Sequence, residues 1–163
     1  MSTEQSLATT ETINGKRYYN IGEGKKYPSV TTILGAMTDK SGLDVWRKRV
    51  GDKEADRISK FSANRGTVMH QLCEYFLGSK KETIKERLID AQTLIGPFVK
   101  ENGFTEEETI IGRKLFFNFY NSKCFDRIAN VVSIEDTLWS PQMGGYAGRV
   151  DIIYENEKGH LVI

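Results

Sequence analysis

"VVSIEDTLWS" (Val131 to Ser140) and "YAGRVDIIYE" (Tyr146 to Glu155), joined by "PQMGG", decide how this chain is read. In the first stretch Val132, Ile134 and Leu138 fall on one side of a two-residue period, and Ser133, Glu135 and Thr137 on the other. In the second, Tyr146, Val150, Ile152 and Tyr154 oppose Arg149 and Asp151. Strict alternation marks half-buried strands, and the Pro-Gly segment between them turns the chain. "NEKG" (156–159) turns it again, and "HLVI" (160–163) opens a third strand. A β-branched run of this kind needs a pairing partner, so the third strand is expected to be only begun.

Upstream the period lengthens. Asn14-Gly15 sits between two β-prone arms and supplies the positive φ angles of a tight hairpin. Pro28 and Ser29 precede Val30, Ile33, Leu34 and Met37, the spacing of a short capped helix ending near Thr38. Leu43, Trp46 and Val50, then Ala55, Ile58 and Phe61, predict two helices broken near Gly51. A further helix is expected from Gly66 to Gly78, another through Ile84, Leu88, Leu94 and Ile95 to Pro97 or a turn later, and a last one from Thr105 through Leu115, Phe116 and Phe119. The expected fold class is α+β: a hairpin and helices, then an incomplete three-stranded antiparallel meander. Residues 1–9 read as a disordered terminus and residues 10–163 as one domain.

Composition narrows the function classes. Twenty-three Lys and Arg against twenty-two Asp and Glu give a net charge of +1, so a nucleic-acid partner would have to be met by local clusters. Cys73 and Cys124 fit no metal-ligand spacing and suit buried thiols in a reducing, cytoplasmic setting. No apolar run approaches the roughly 20 residues that cross a bilayer, so a soluble protein without membrane partners is expected.

Asp151 is the sharpest chemical feature, because a carboxylate between Val150 and Ile152 is costly to desolvate unless it binds a cation or accepts several hydrogen bonds. The alternative is a wetted edge position. If the polar faces of the two strands coincide, Glu135, Arg149 and Asp151 share one surface, two acids and a guanidinium suited to a divalent metal beside a phosphate. The competing reading is a solvated charge ladder with a cross-strand arginine. His70 stands mid-helix with Gly66 and Glu74 one turn either side, either as a ligand or as ordinary half-buried packing. Arg65, at the expected helix start, could receive a phosphate on free N–H groups, as could Ser29, Thr31 and Thr32, or all could serve simple capping.

"YPSVTTIL", "RGTVMHQLCE", "IEDTL" and "AGRVDIIYENEKGHLVI", in this order, resemble the RecB-like branch of the PD-(D/E)xK nuclease superfamily. The likeness is to phage-type exonucleases similar to the mitochondrial genome maintenance exonuclease, and it covers residues 16 to 163. It implies a restriction-endonuclease-like core that hydrolyses DNA, single-stranded or at ends, with Mg²⁺ or Mn²⁺, and a phage-encoded protein acting in a host cytoplasm. His70 then matches the helical metal ligand, Asp151 the first acidic ligand, and Glu135 the acid of the preceding strand. Ser29, Thr31 and Thr32 match the hydroxyl-rich turn laid against the DNA backbone. The family's D/E-x-K element would follow "HLVI", so the chain is expected to be an N-terminal fragment impaired in cleavage. The alternative is a non-catalytic DNA-binding or scaffolding module.

Overall fold

The computed structural model describes residues 8–163, so the expected disordered terminus falls, for residues 1–7, outside the described residues. The fold is mixed α+β. Strands β1 (Thr9–Ile13), β2 (Lys16–Asn20) and β3 (Lys26–Pro28) lead into helices α1 (Val30–Met37), α2 (Ser41–Val50), α3 (Asp52–Gly78), α4 (Ile84–Glu101), α5 (Glu106–Tyr120) and α6 (Lys123–Asp126). Strands β4 (Asn130–Ser140), β5 (Tyr146–Glu155) and β6 (Leu161–Val162) follow. Each group of three strands forms its own sheet, in the order β1-β2-β3 and β4-β5-β6. Contacts divide the chain into two compact units: residues up to Lys40 together with Glu135–Ile152, and Ser41–Ile134 together with Ile153–Ile163.

In the first unit, Asn14 and Gly15 take φ of 50° and 73°, which sets the antiparallel register Ile13↔Lys16 through Thr9↔Asn20. Thr9 therefore already belongs to a strand, and β3 extends the expected hairpin to a third strand through Tyr18↔Pro28. Ser29 is 2 % exposed and caps α1: its Oγ accepts the Thr32 N–H at 3.0 Å. Tyr19 and Ala147 are buried with it, and Ser29 bridges Ala147 in parallel fashion. Glycines admit this packing. A Cβ on Gly145, whose φ is +92°, would run into the Tyr27 ring. The helical stripe of α1 does not become core, because Val30, Leu34 and Met37 are exposed, Met37 at 79 %.

In the second unit, α3 runs without a break from Asp52 to Gly78. The expectation of a helix start at Gly66 is thus corrected: Arg65 and Gly66 lie inside a continuous helix, where backbone N–H groups are consumed by the turn before. The apolar spacing Ala55…Val68, Leu72, Phe76 outweighs one interior glycine, which costs a helix only about 1 kcal/mol. The break does fall at Gly51, with φ of 84°. Val68, Leu72 and Phe76 meet Ala91 and Ile95 of α4 and Phe116 of α5 in the core. Phe76 packs edge-on to Phe116 and Tyr120, with centroids 5.7 and 5.6 Å away. Gly112 sets the approach of α5 to α3, since a Cβ there would fall 2.6 Å from Val68 and 2.9 Å from the Arg65 carbonyl.

Helices α4 and α5 start on reciprocal capping boxes, Thr83 with Glu86 and Thr105 with Glu108. Helix α4 passes through Pro97 and ends a turn later. The one-turn helix α6 had no signal in the apolar spacing. It leaves Cys124 exposed, against the expected burial of both thiols, while Cys73 packs half-buried against the core.

Candidate metal site

The middle of strands β4 and β5 carries the acids. Asp151 and Arg149 are two residues apart on β5 and therefore share a face, and both are exposed. Glu135, half-buried on β4, joins them. Arg149 Nε forms an ion pair with Glu135 Oε2 at 2.5 Å, and the two carboxyl groups of Glu135 and Asp151 each offer an oxygen within 4.8 Å of the other. The pairing is therefore the one that brings the three charged side chains to one surface.

The backbone at Glu135 departs from regular strand. Its φ is +54°, a left-handed conformation in the interior of a strand, which is uncommon for a residue with a β-carbon. The following Asp136 braces the kink, its Oδ1 accepting the Thr137 N–H at 2.9 Å. The simple in-out pattern is lost here: Ser133 through Thr137 are all half-buried. A local left-handed residue re-aims side chains in this way, as bulges do beside functional sites. The dipeptide Glu135-Asp136 was the only sequence signal for it, since Asp side chains bond to nearby backbone.

A shared cation sets an upper limit on the spacing of its ligands. Two oxygens on opposite sides of one Mg²⁺, each at about 2.1 Å, are at most about 4.2 Å apart. Carboxylates already within 4.8 Å reach that limit with side-chain movements of about half an ångström. Glu135 and Asp151 thus fit a divalent metal.

His70 lies mid-helix in α3, in the other unit, and its side chain is exposed. Arg65 is half-buried on the same helix with its guanidinium 5.8 Å from the centre of the Phe61 ring, a cation-π contact. Ser29 is committed to the interior: its hydroxyl donates to Thr32 Oγ1 at 2.8 Å and lies 2.9 Å from Thr31 Oγ1. Thr32 in turn links to Arg17, accepting its N–H at 3.1 Å. Thr31 is the exposed hydroxyl of the three. Trp139 is exposed farther along β4, its ring 6.0 Å from that of Tyr27.

Comparisons with protein-family models, with curated proteins and with solved structures gave no match. The resemblance noted in the sequence accordingly stands on its motifs.

Proposed function

We propose that the protein is a metal-dependent deoxyribonuclease of the RecB-like kind, with Glu135, Asp151 and His70 as ligands of a Mg²⁺ or Mn²⁺ ion. One observation carries the reading: two carboxylates from neighbouring strands converge to within 4.8 Å on the face that also presents Arg149. Strain at Glu135 supports it, because a left-handed residue with a side chain is a cost that a purely structural ion pair does not need. When bound, the ion supplies Lewis-acid polarisation of a phosphate oxygen. Asp151 and Glu135 hold negative charge at fixed positions, and Arg149 stands beside them to receive a phosphate of the DNA backbone. Thr31, exposed on the first turn of α1, is the hydroxyl offered to a second phosphate, and Arg65 adds positive charge on α3.

The test is a Mn²⁺ titration of the chain followed by paramagnetic broadening or calorimetry, together with incubation of labelled single- and double-stranded DNA in Mg²⁺, in Mn²⁺ and in EDTA. Saturable metal binding at one site is expected, with hydrolysis by this chain weak or absent and any residual cleavage abolished by EDTA. Absence of any metal binding at neutral pH overturns the proposal.

One observation favours a second reading. Arg149 already satisfies Glu135, as a cross-strand pair on a solvated surface does. On that reading the protein is a non-catalytic DNA-binding module, and DNA binding persists unchanged in EDTA.

A further inference from the structure

A separate concavity of about 670 Å³ opens in the second unit, between α6 with the residue that follows it and the β5–β6 turn. Tyr154 and Val162, both half-buried, lie directly opposite each other in the β5–β6 register and contribute an aromatic ring and a branched apolar side chain to its lining. Lys123, Arg127, Lys158 and His160 also line it, all exposed. Asp126 and Glu157 share the rim, so three permanent cations face two carboxylates. Among the described residues, none of the three cations has a carboxylate within ion-pair distance.

The turn that presents Lys158 and His160 is held by its own hydrogen bonds. Asn156 Oδ1 accepts the N–H groups of Lys158 and His160 at 2.9 and 3.0 Å, and Gly159 N–H donates to the Asn156 carbonyl at 2.9 Å. The Ala129 N–H donates to the Glu155 carbonyl at 3.0 Å, which ties the segment after α6 to the end of β5. The backbone of the rim is therefore set before a ligand arrives, and ordering costs fall on side chains alone.

A partly apolar lining with an aromatic ring and unpaired cations at the rim matches a ligand that joins a flat ring to a phosphate. We propose that this concavity binds a nucleotide, its base against Tyr154 and its phosphate among Arg127, Lys158 and Lys123. The two rim acids keep the net attraction small, so binding is modest and weakens with salt. None of the residues involved belongs to the candidate metal set, so this site stands or falls independently of the nuclease reading.

The experiment is an amide-resolved NMR titration of the whole chain in EDTA, with deoxyadenosine monophosphate, deoxyadenosine, inorganic phosphate and a short single-stranded oligonucleotide as separate probes. The monophosphate is expected to shift residues 123–127 and 154–162 at lower concentration than either deoxyadenosine or phosphate. Arg127→Ala and Lys158→Ala should each weaken it about fivefold. Tyr154→Leu should reduce it to the level of inorganic phosphate. Saturation of the same amides by the oligonucleotide at much lower concentration identifies the ligand as part of a strand, and equal concentrations identify a free nucleotide. No shift of these amides at roughly millimolar monophosphate, or shifts indifferent to both cation variants, overturns the proposal.

Discussion

Arg149 reaches across the β4–β5 ribbon and sets its Nε 2.5 Å from Glu135 Oε2, beside the carboxyl group of Asp151. Two carboxylates and one guanidinium thus share one face. The approach of the two carboxylates to within 4.8 Å gives the first prediction.

Asp151→Asn, Glu135→Gln and His70→Ala should each lower Mn²⁺ affinity by roughly tenfold or more, since each removes a proposed first-sphere ligand. Folding should be intact. Asp151 is exposed, so Asp151→Asn is expected to leave the chain folded in EDTA, with a cooperative melting curve. Calorimetric Mn²⁺ binding alongside a melting curve checks both halves, and unchanged affinity in all three variants would remove the metal assignment.

Strain at Glu135 is separable from its charge by comparing two truncations. Glu135→Ala and Glu135→Gly both lose the carboxylate and its bond to Arg149, but only glycine takes φ of +54° without steric cost. The left-handed penalty of about 1–2 kcal/mol is offset in part by the greater freedom of unfolded glycine, so the glycine variant should be more stable than the alanine variant by about 0.5–1 kcal/mol. Urea unfolding of the pair measures the difference, and equal stability would mean the backbone relaxes there.

Gly112→Ala should destabilise despite improving helix propensity. The new methyl group meets Val68 at 2.6 Å and the Arg65 carbonyl at 2.9 Å, and a carbonyl cannot turn away as a side-chain tip can. Overpacking of this kind costs about 1–3 kcal/mol, enough to exceed the helix-propensity gain of about 1 kcal/mol in most of that range. A lower urea midpoint with unchanged slope is the expected result.

Glu108, only 6 % exposed, accepts the Thr105 N–H and an Asn64 amide proton at 2.8 and 2.9 Å. The Thr105 N–H is the main reason its carboxyl is held below the ordinary value of 4.5, against the opposing effect of burial. A depressed folded-state pKa means that this contribution to stability is complete above the ordinary carboxylate range and is lost as pH falls through the lower, folded value. Glu108→Gln should therefore flatten the acid limb of the stability profile relative to the parent. A parallel limb in the variant would place the pH dependence elsewhere.

Ser29→Ala and Thr31→Ala separate capping from contact. Ser29, buried and bonded to the Thr32 N–H, should cost about 1 kcal/mol of stability when its hydroxyl is removed. Thr31 is exposed, and its removal should leave the melting temperature unchanged while weakening DNA binding measured by fluorescence anisotropy. If Ser29→Ala melts like the parent, the cap is not limiting.

Much of this molecule is local, and local chemistry is legible in a sequence. Asn14-Gly15 dictates its turn through φ, Thr105 with Glu108 dictates a helix start through reciprocal hydrogen bonds, and the two-residue period of Tyr146–Glu155 dictates a strand. Helix α3 was misread as two because a lone glycine at 66 resembles a boundary until the apolar stripe on both sides of it is packed. The apolar stripe of α1 promised core and is instead exposed, since spacing says which residues share a face but not what covers that face. At the acids, the sequence determined that Arg149 and Asp151 lie on one side of a strand. Only the tertiary structure decided that Glu135 meets them, because that depends on strand register, which is fixed by partners distant in the chain.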